Sequence, residues 1–157
     1  MGRFHIYIDG AARGNPGPAG IGIVITDEKG KIIHTISKYL GQTTNNIAEY
    51  TALIFGMEEV RNKKAKDIII NTDSQLLARQ LGGEYKVKSS SLKDLYNKVN
   101  TMLKSFDEVR VNQIGREQNK HADKLANKAI DNSVKGKKRG TSYILKSKSN
   151  IEELFGH

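Results

Sequence analysis

The chain has 157 residues and a formal net charge of +9, and its length fits one domain with a buried core. It has no cysteine, which excludes disulfide-stapled folds and thiolate metal sites, and no apolar run approaches the ~20 residues that span a bilayer. The basic balance favours a polyanion such as a nucleic acid as partner, although many small proteins are basic for solubility alone. We expect a cytoplasmic monomer without a membrane segment, since the absence of cysteine agrees with a reducing compartment.

The beginning of the chain predicts three strands that pair as an antiparallel meander. Residues 4–9, 21–25 and 31–40 show the period-two alternation and the residue types of half-buried strands. A loop rich in glycine and proline joins the first two strands, and the sequence Asp-Glu-Lys-Gly at residues 27–30 predicts a turn between the next two.

The rest of the chain alternates helices with strands. We therefore expect an α/β fold, in which a five-stranded mixed sheet with its first three strands antiparallel is flanked by helices. Asn45 or Asn46 is expected to cap the first helix, and Asn119 the last. The predicted helices cover residues 44–62, 74–81, 92–103 and 119–130, and the predicted strands cover residues 67–73 and 108–114.

The composition of the chain changes near residue 132. Residues 1–132 form the predicted domain, whereas residues 133–157 carry six basic and two acidic side chains and are expected to form a basic tail. Within the tail, residues 143–145 could add an edge strand and residues 151–155 a final helical turn. The basic side chains either help to bind a polyanion or are simply solvated; they are Lys135, Lys137, Lys138, Arg139, Lys146 and Lys148.

Two apolar strands each end in an aspartate, Asp9 and Asp73. Each could merely cap the turn that follows, but a carboxylate that closes a buried strand is costly to desolvate unless a cation meets it. Sites in open α/β sheets lie at strand ends, so two such aspartates together favour a cation. Glu49 and Asp123 are further acids, both on predicted helices, and the helix dipole alone could account for Asp123.

These four carboxylates form a set of hard oxygen ligands. They suit Mg²⁺ or Mn²⁺ rather than Zn²⁺, because the chain has no cysteine and its four histidines show no metal-ligand spacing. Mg²⁺ usually takes few protein carboxylates and completes its shell with water and phosphate oxygens. The pattern therefore indicates phosphoryl chemistry.

Four blocks of the sequence, in their order and spacing, resemble type 1 ribonuclease H: IDGAARGNPGPAGIG, TTNNIAEYTALI, INTDSQ and NKHADKLANKAI. The match runs from about Phe4 to Ile130. The chain has no basic, tryptophan-bearing insertion, and in this it resembles the compact bacterial and archaeal branch. The resemblance implies a ribonuclease H-like fold, with residues 1–132 as the catalytic domain. It also implies endonucleolytic hydrolysis of the RNA strand of RNA–DNA hybrids, giving 5′-phosphate and 3′-hydroxyl ends.

The resemblance assigns the metal ligands and the substrate contacts. Two Mg²⁺ ions, ~3.5–4 Å apart and replaceable by Mn²⁺, would clamp the scissile phosphate between them. The implied catalytic and metal-binding residues are Asp9, Glu49, Asp73 and Asp123. The implied substrate-binding residues, on glycine-rich loops and helix starts that approach the backbone and minor groove of a hybrid, are Gly10, Arg13, Gly14, Asn15, Thr44, Asn45, Asn46, Ser74, Gln75, Arg116 and Asn119.

The loop before the last helix departs from the family pattern. Many members have a histidine there that aids turnover, whereas this chain has Gly-Arg-Glu-Gln-Asn at residues 115–119. Arg116 or Glu117 is a better substitute than His121, which lies two residues before Asp123 and so points to another side of the helix.

Two other functions stay open at this point. One is a non-catalytic protein that binds hybrids or double-stranded RNA, and the other is a related nuclease that acts on double-stranded RNA. Four acids facing phosphates would bring a pure binder no benefit, and the implied substrate contacts favour a hybrid. Fold alone decides neither question.

Overall fold

The five strands form one mixed sheet in the order β3-β2-β1-β4-β5. The structure is a computed structural model, and it describes residues 2–138. Neighbouring strands pair antiparallel from β1 to β3, as predicted for this mixed sheet, and parallel from β1 through β4 to β5. The strands are β1 (Arg3–Ala12), β2 (Gly17–Thr26), β3 (Ile32–Thr43), β4 (Asp67–Thr72) and β5 (Glu108–Gln113).

Helices cover both faces of the sheet. The helices are α1 (Asn45–Asn62), α2 (Gln75–Leu81), α3 (Ser90–Leu103) and α4 (Lys120–Lys138), and a 3₁₀ turn at Arg116–Gln118 precedes α4. Helix α1 packs on the face that carries Ile6 and Ile8, and α3 packs against α1. Helix α4 packs mainly on β2 from the opposite face, because the positions it meets alternate with the isoleucines that face α1.

An aliphatic core lies between the sheet and α1. Ile6, Ile8, Ile21, Ile23 and Ile25 are all fully buried, and each such side chain contributes ~1.5–3 kcal/mol when it is removed from water. Helix α1 is buried on several sides, which suits its central place between the sheet and α3. This packing holds the first turn of α1 firmly against β1.

Two glycines of β2 allow α4 to lie directly on the sheet. A Cβ atom on Gly22 would overlap the carbonyl oxygen of Ala122, and one on Gly20 would meet the carbonyl oxygen of Ala126 at 2.5 Å. A larger residue at either position would push the helix away. The two glycines therefore set the height of α4 above the sheet and, with it, the position of its first turn.

The structure corrects two local predictions. Strand β1 does not end at Asp9: its ladder with β4 stops at the pair Ile8–Thr72, but its pairing with β2 continues to Ala12. The cap of α1 is neither Asn45 nor Asn46. Thr44 is the cap, since its Oγ1 accepts a hydrogen bond from the backbone N–H of Ile47 at 3.2 Å.

Helix α4 is longer than predicted, because it continues from residue 130 to Lys138. It crosses the boundary at residue 132, so the division into a domain and a basic tail stays a prediction. The expected edge strand at residues 143–145 and the helical turn at residues 151–155 lie outside the described residues. Within residues 2–138, no helix has both the length and the apolar character needed to cross a bilayer.

Candidate active site

The four predicted acids converge on one cleft of about 530 Å³, although four different elements carry them. Asp9 lies on β1, Glu49 on α1, Asp73 directly after β4, and Asp123 on α4. Carboxylate oxygens of Asp9, Glu49 and Asp73 all lie within 4.8 Å of one another. Asp123 lines the same cleft from the side of α4.

A glycine brings Glu49 next to Asp9. Gly10 lies so close to α1 that a Cβ atom there would overlap the backbone atoms of Ala48 and Glu49. The first turns of α1 can therefore approach β1 within contact distance, which only glycine permits at this position. Gly10 lines the cleft and also has this packing role.

Asn119 fixes the start of α4 beside Asp9. Its Nδ2 donates a 2.8 Å hydrogen bond to the carbonyl oxygen of Ile8, the residue before Asp9. Asn119 is only 1% exposed, and its predicted contact with substrate stays a prediction. It does not cap α4 through its side chain either, since its Oδ1 has no hydrogen-bond partner among the described residues. Asn119 is a structural anchor.

Burial and neighbouring carboxylates raise the pKa values of Asp9 and Glu49. The pKa of Asp9 is raised to about 7, first by burial and then by the nearby carboxylates of Asp73 and Asp123, while the positive charge of Arg116 opposes the rise. The pKa of Glu49 is also raised well above its ordinary value, first by burial and then by the charge of Asp9. Within the described part of the chain, Glu49 Oε2 has no hydrogen-bond partner.

A divalent cation fits this cleft. The donor set consists of carboxylate oxygens, which are the ligands of hard cations. Two of the acids are buried and repel each other in their charged forms, so a cation between them would stabilise the charged state. The orphaned Glu49 Oε2 also supplies a buried acceptor without a protein donor.

Six of the predicted substrate-binding residues line the cleft, together with Ala11 and Ala12. They are Gly10, Asn45, Asn46, Ser74, Gln75 and Arg116. Arg116 is exposed at the rim, close enough for its charge to lower the pKa of Asp9. Neither Glu117 nor His121 lines this cleft, so of the three residues considered for the missing histidine only Arg116 faces the acids.

Hydrogen bonds join the β1–β2 loop to the start of α1, and residues predicted to bind substrate take part in them. The backbone N–H of Ala12 donates to Asn45 Oδ1 at 2.8 Å, and the backbone N–H of Asn45 donates to Asn15 Oδ1 at 3.2 Å. Thr44 caps α1, as Ser74 caps α2 by accepting from the N–H of Leu77 at 3.1 Å. The loop, whose Gly14 has a φ of 110°, is thereby tied to the first turn of α1.

Arg13 turns away from the cleft and toward α4. Its Nη2 lies 2.7 Å from Asp131 Oδ1 and donates to Asn127 Oδ1 at 3.3 Å. It does not line the cleft, and its predicted contact with substrate stays a prediction. Sequence reasoning missed Asn127 altogether, although its position four residues after Asp123 places the two on one helix face.

Comparisons with known proteins identify the relatives of the chain. A family profile described as reverse transcriptase-like matches residues 7–129. Ribonuclease HI of Halobacterium salinarum is 39% identical over 84% of this chain, and the chain spans 66% of its length. A bifunctional protein of Mycobacterium tuberculosis, Rv2228c, is 36% identical over 80% of this chain, which spans 35% of that protein.

A solved structure of LC11-RNase H1, isolated from compost, shares both fold and sequence with the chain. In its complex with an RNA/DNA hybrid it superposes with a TM-score of 0.80 at 44% identity, covering 83% of this chain and 99% of that one. Fold and cleft thus define an α/β protein with a cluster of carboxylates, able to hold a metal ion, beside the β1–β4 ladder. The chain belongs to the type 1 ribonuclease H family, in its compact bacterial and archaeal form.

Proposed function

We propose that the protein is an endoribonuclease that hydrolyses the RNA strand of RNA–DNA hybrids with Mg²⁺, leaving 5′-phosphate and 3′-hydroxyl ends. The observation that carries the proposal is the convergence of Asp9, Glu49, Asp73 and Asp123 on one cleft. Membership of the ribonuclease H family supports it, as does the LC11-RNase H1 complex with a hybrid. Mn²⁺ is proposed as a substitute for Mg²⁺.

The acids of the cleft hold the cations and thereby place the scissile phosphate. When bound, the two ions supply an activated water and neutralise the charge on the leaving oxygen. Only ionised carboxylates are good ligands, so a bound cation would oppose the upward shifts in the pKa values of Asp9 and Glu49. Arg116 lies at the rim, where its positive charge suits a phosphate of the same strand.

The polar rim of the cleft supports a hybrid as the duplex. Asn45, Asn46 and Gln75 present amide groups at the starts of α1 and α2. Such small polar groups suit the wide, shallow minor groove of an A-like helix, in which RNA displays its 2′-hydroxyl groups. The N-terminus of α1 also favours a phosphate nearby.

A substrate panel tests the proposal. Purified protein is given a labelled hybrid, double-stranded RNA and double-stranded DNA of one sequence, each with Mg²⁺, Mn²⁺ or a chelator. We expect metal-dependent cutting of the RNA strand in the hybrid alone. Binding of the hybrid without cutting would favour the non-catalytic alternative, and equal cutting of double-stranded RNA would favour the other nuclease.

Without metal, the protein is expected to lose stability as the pH rises. A carboxyl whose pKa increases on folding, as for Asp9 from 3.8 to about 7, stabilises the fold below pH 4 and loses this contribution as the pH passes 7. Asp9→Asn should therefore raise the free energy of unfolding at pH 8 in chelator, by on the order of 2–4 kcal/mol. Urea denaturation at pH 5 and pH 8 measures this.

Two comparisons make that measurement specific. Asp94→Asn, which changes an exposed acid on α3, should leave the pH dependence as in the wild type. Added Mg²⁺ should raise the free energy of unfolding of the wild type at pH 8, and it should raise that of Asp9→Asn much less. If Asp9→Asn and the wild type lost stability equally between pH 5 and pH 8, the raised pKa assigned to Asp9 would be wrong.

Three predictions from the sequence stay predictions. They are the monomeric state, the cytoplasmic location, and the binding of a hybrid by the basic side chains of residues 133–157. Of that last segment, only the backbone of residues 134–138 and the whole of Ser133 are described, as part of α4.

A further inference from the structure

Asp123 differs from the other three acids of the cleft. It is exposed on the first turn of α4, whereas Asp9 and Glu49 are 6% and 7% exposed. It is also absent from the group of three whose oxygens lie within 4.8 Å of one another. An exposed side chain on a helix has several rotamers available, so something must direct this carboxylate if it is to serve the cleft.

Asn127, one turn further along α4, holds the Asp123 carboxylate. Its Nδ2 donates to Asp123 Oδ1 at 3.2 Å and to the carbonyl oxygen of Asp123 at 3.0 Å. The amide thus links the carboxylate to the backbone of its own residue. This contact restrains the rotation of the Asp123 side chain.

Arg13 fixes the orientation of the Asn127 amide. The guanidinium group can only donate hydrogen bonds, so its contact of 3.3 Å with Asn127 requires the amide oxygen to face Arg13. The amide nitrogen must then face Asp123. Arg13 is held in turn by Asp131, whose Oδ1 lies 2.7 Å from Nη2. The chain of contacts thus runs from the loop after β1 to an acid of the cleft.

We propose that Arg13 and Asn127 are positioning residues, which hold the Asp123 carboxylate toward the cleft and so set its affinity for divalent cations. The proposal rests on the proposed function only in treating the cleft as the catalytic cation site. The Arg13–Asp131 pair is 43% and 54% exposed, so its direct contribution to stability is small. Its effect lies instead in the geometry of Asp123, where loss of such outer contacts typically costs ~10–100-fold in metal affinity or activity.

Binding of Mn²⁺ without substrate tests the proposal, measured by titration calorimetry or by the electron paramagnetic resonance of free Mn²⁺. Asn127→Ala should weaken binding by ~10-fold. Arg13→Ala should also weaken Mn²⁺ binding, by roughly 3-fold. The Asn127 amide is then free to rotate and to exchange the positions of its oxygen and nitrogen. Asn132→Ala, a change of an exposed asparagine on the same helix, is the matched control and should leave Mn²⁺ affinity unchanged.

Combining Arg13→Ala with Asn127→Ala shows whether Arg13 acts on Asp123 only through Asn127. If Arg13 works only through Asn127, Arg13→Ala should cost nothing further in the Asn127→Ala background. Additive losses of Mn²⁺ affinity would show that Arg13 does not act through Asn127. Arg13→Lys keeps the charge beside Asp131 but loses the planar fork, so it should fall between the wild type and Arg13→Ala.

Stability and turnover separate positioning from a merely structural role. In chelator, we expect the variants to melt within about 3 °C of the wild type, since the contacts are exposed. With hybrid, the Mn²⁺ concentration for half-maximal rate should rise, while the rate at saturating Mn²⁺ recovers substantially. Unchanged Mn²⁺ affinity in Asn127→Ala would overturn the proposal. Because binding is measured without nucleic acid, that result is distinct from a failure to cleave hybrids.

Discussion

Asp73→Asn is expected to lower the rate of hybrid cleavage by roughly 10³-fold while the fold stays intact. Asp73 directly follows β4 and lines the cleft, and its carboxylate lies within 4.8 Å of those of Asp9 and Glu49. Asparagine keeps the shape of the side chain but removes the charge that a cation requires. Single-turnover cleavage of a labelled hybrid at saturating Mg²⁺ measures the effect.

The same substitution has a second consequence that does not depend on activity. The charge of Asp73 raises the pKa of Asp9, so its removal should lower that pKa from about 7. The metal-free variant should then lose less stability than the wild type between pH 5 and pH 8. Asp107→Asn, a change of an exposed acid before β5, should alter neither cleavage nor this pH dependence. Cleavage by Asp73→Asn at more than about a tenth of the wild-type rate would contradict the assigned role.

Gly22→Ala is expected to destabilise the protein by on the order of 3 kcal/mol or more. The added Cβ would overlap the carbonyl oxygen of Ala122 and lie only 2.7 Å from the backbone nitrogen of Ala126. Both are helix backbone atoms, so neither can turn aside as a flexible side chain could. The strain can be relieved only if α4 moves off β2, and that movement would carry Asp123 away from the cleft.

Gly82→Ala is the matched control for this prediction. Gly82 has a φ of −78°, and the nearest atom to an added Cβ would be the carbonyl oxygen of Ala78 at 3.4 Å. Alanine there should change the free energy of unfolding by less than about 1 kcal/mol. Urea denaturation of both variants gives the comparison, and equal stabilities would show that α4 does not rest on Gly22 as closely as described.

The sheet was largely predictable because its signal is local. Period-two alternation marks β1 to β3, and the apolar run of β4 marks a strand buried on both faces. The end of β1 was not predictable in this way. Asp9 follows an apolar run, yet the strand continues since β2 still offers partners where β4 has stopped. Where a strand ends depends on the length of its neighbours, which lie far away in sequence.

Helix caps show the same limit on a smaller scale. Thr44, Asn45 and Asn46 all have side chains that cap helices well, so local chemistry does not choose among them. The fold chooses Thr44, because the Asn45 side chain accepts a hydrogen bond from Ala12 on β1. That contact joins residues 33 positions apart.

The acids of the cleft were predictable, but their supports were not. The resemblance of four sequence blocks to one family identified Asp9, Glu49, Asp73 and Asp123 together. Nothing in the local sequence indicates that Arg13 reaches Asn127, 114 positions away. An exposed arginine in a glycine-rich loop has many acceptable partners, and only the packed position of α4 selects one.

The most direct test of the account is a crystal structure of the protein with a hybrid and Mn²⁺, under conditions that prevent cleavage. Anomalous scattering locates manganese directly, because the signal is specific to the element. We expect two anomalous peaks in the cleft, ~3.5–4 Å apart, ligated by carboxylate oxygens of Asp9, Glu49, Asp73 and Asp123. Peaks elsewhere, or a cleft in which one of these side chains turns away from the bound ions, would contradict the account.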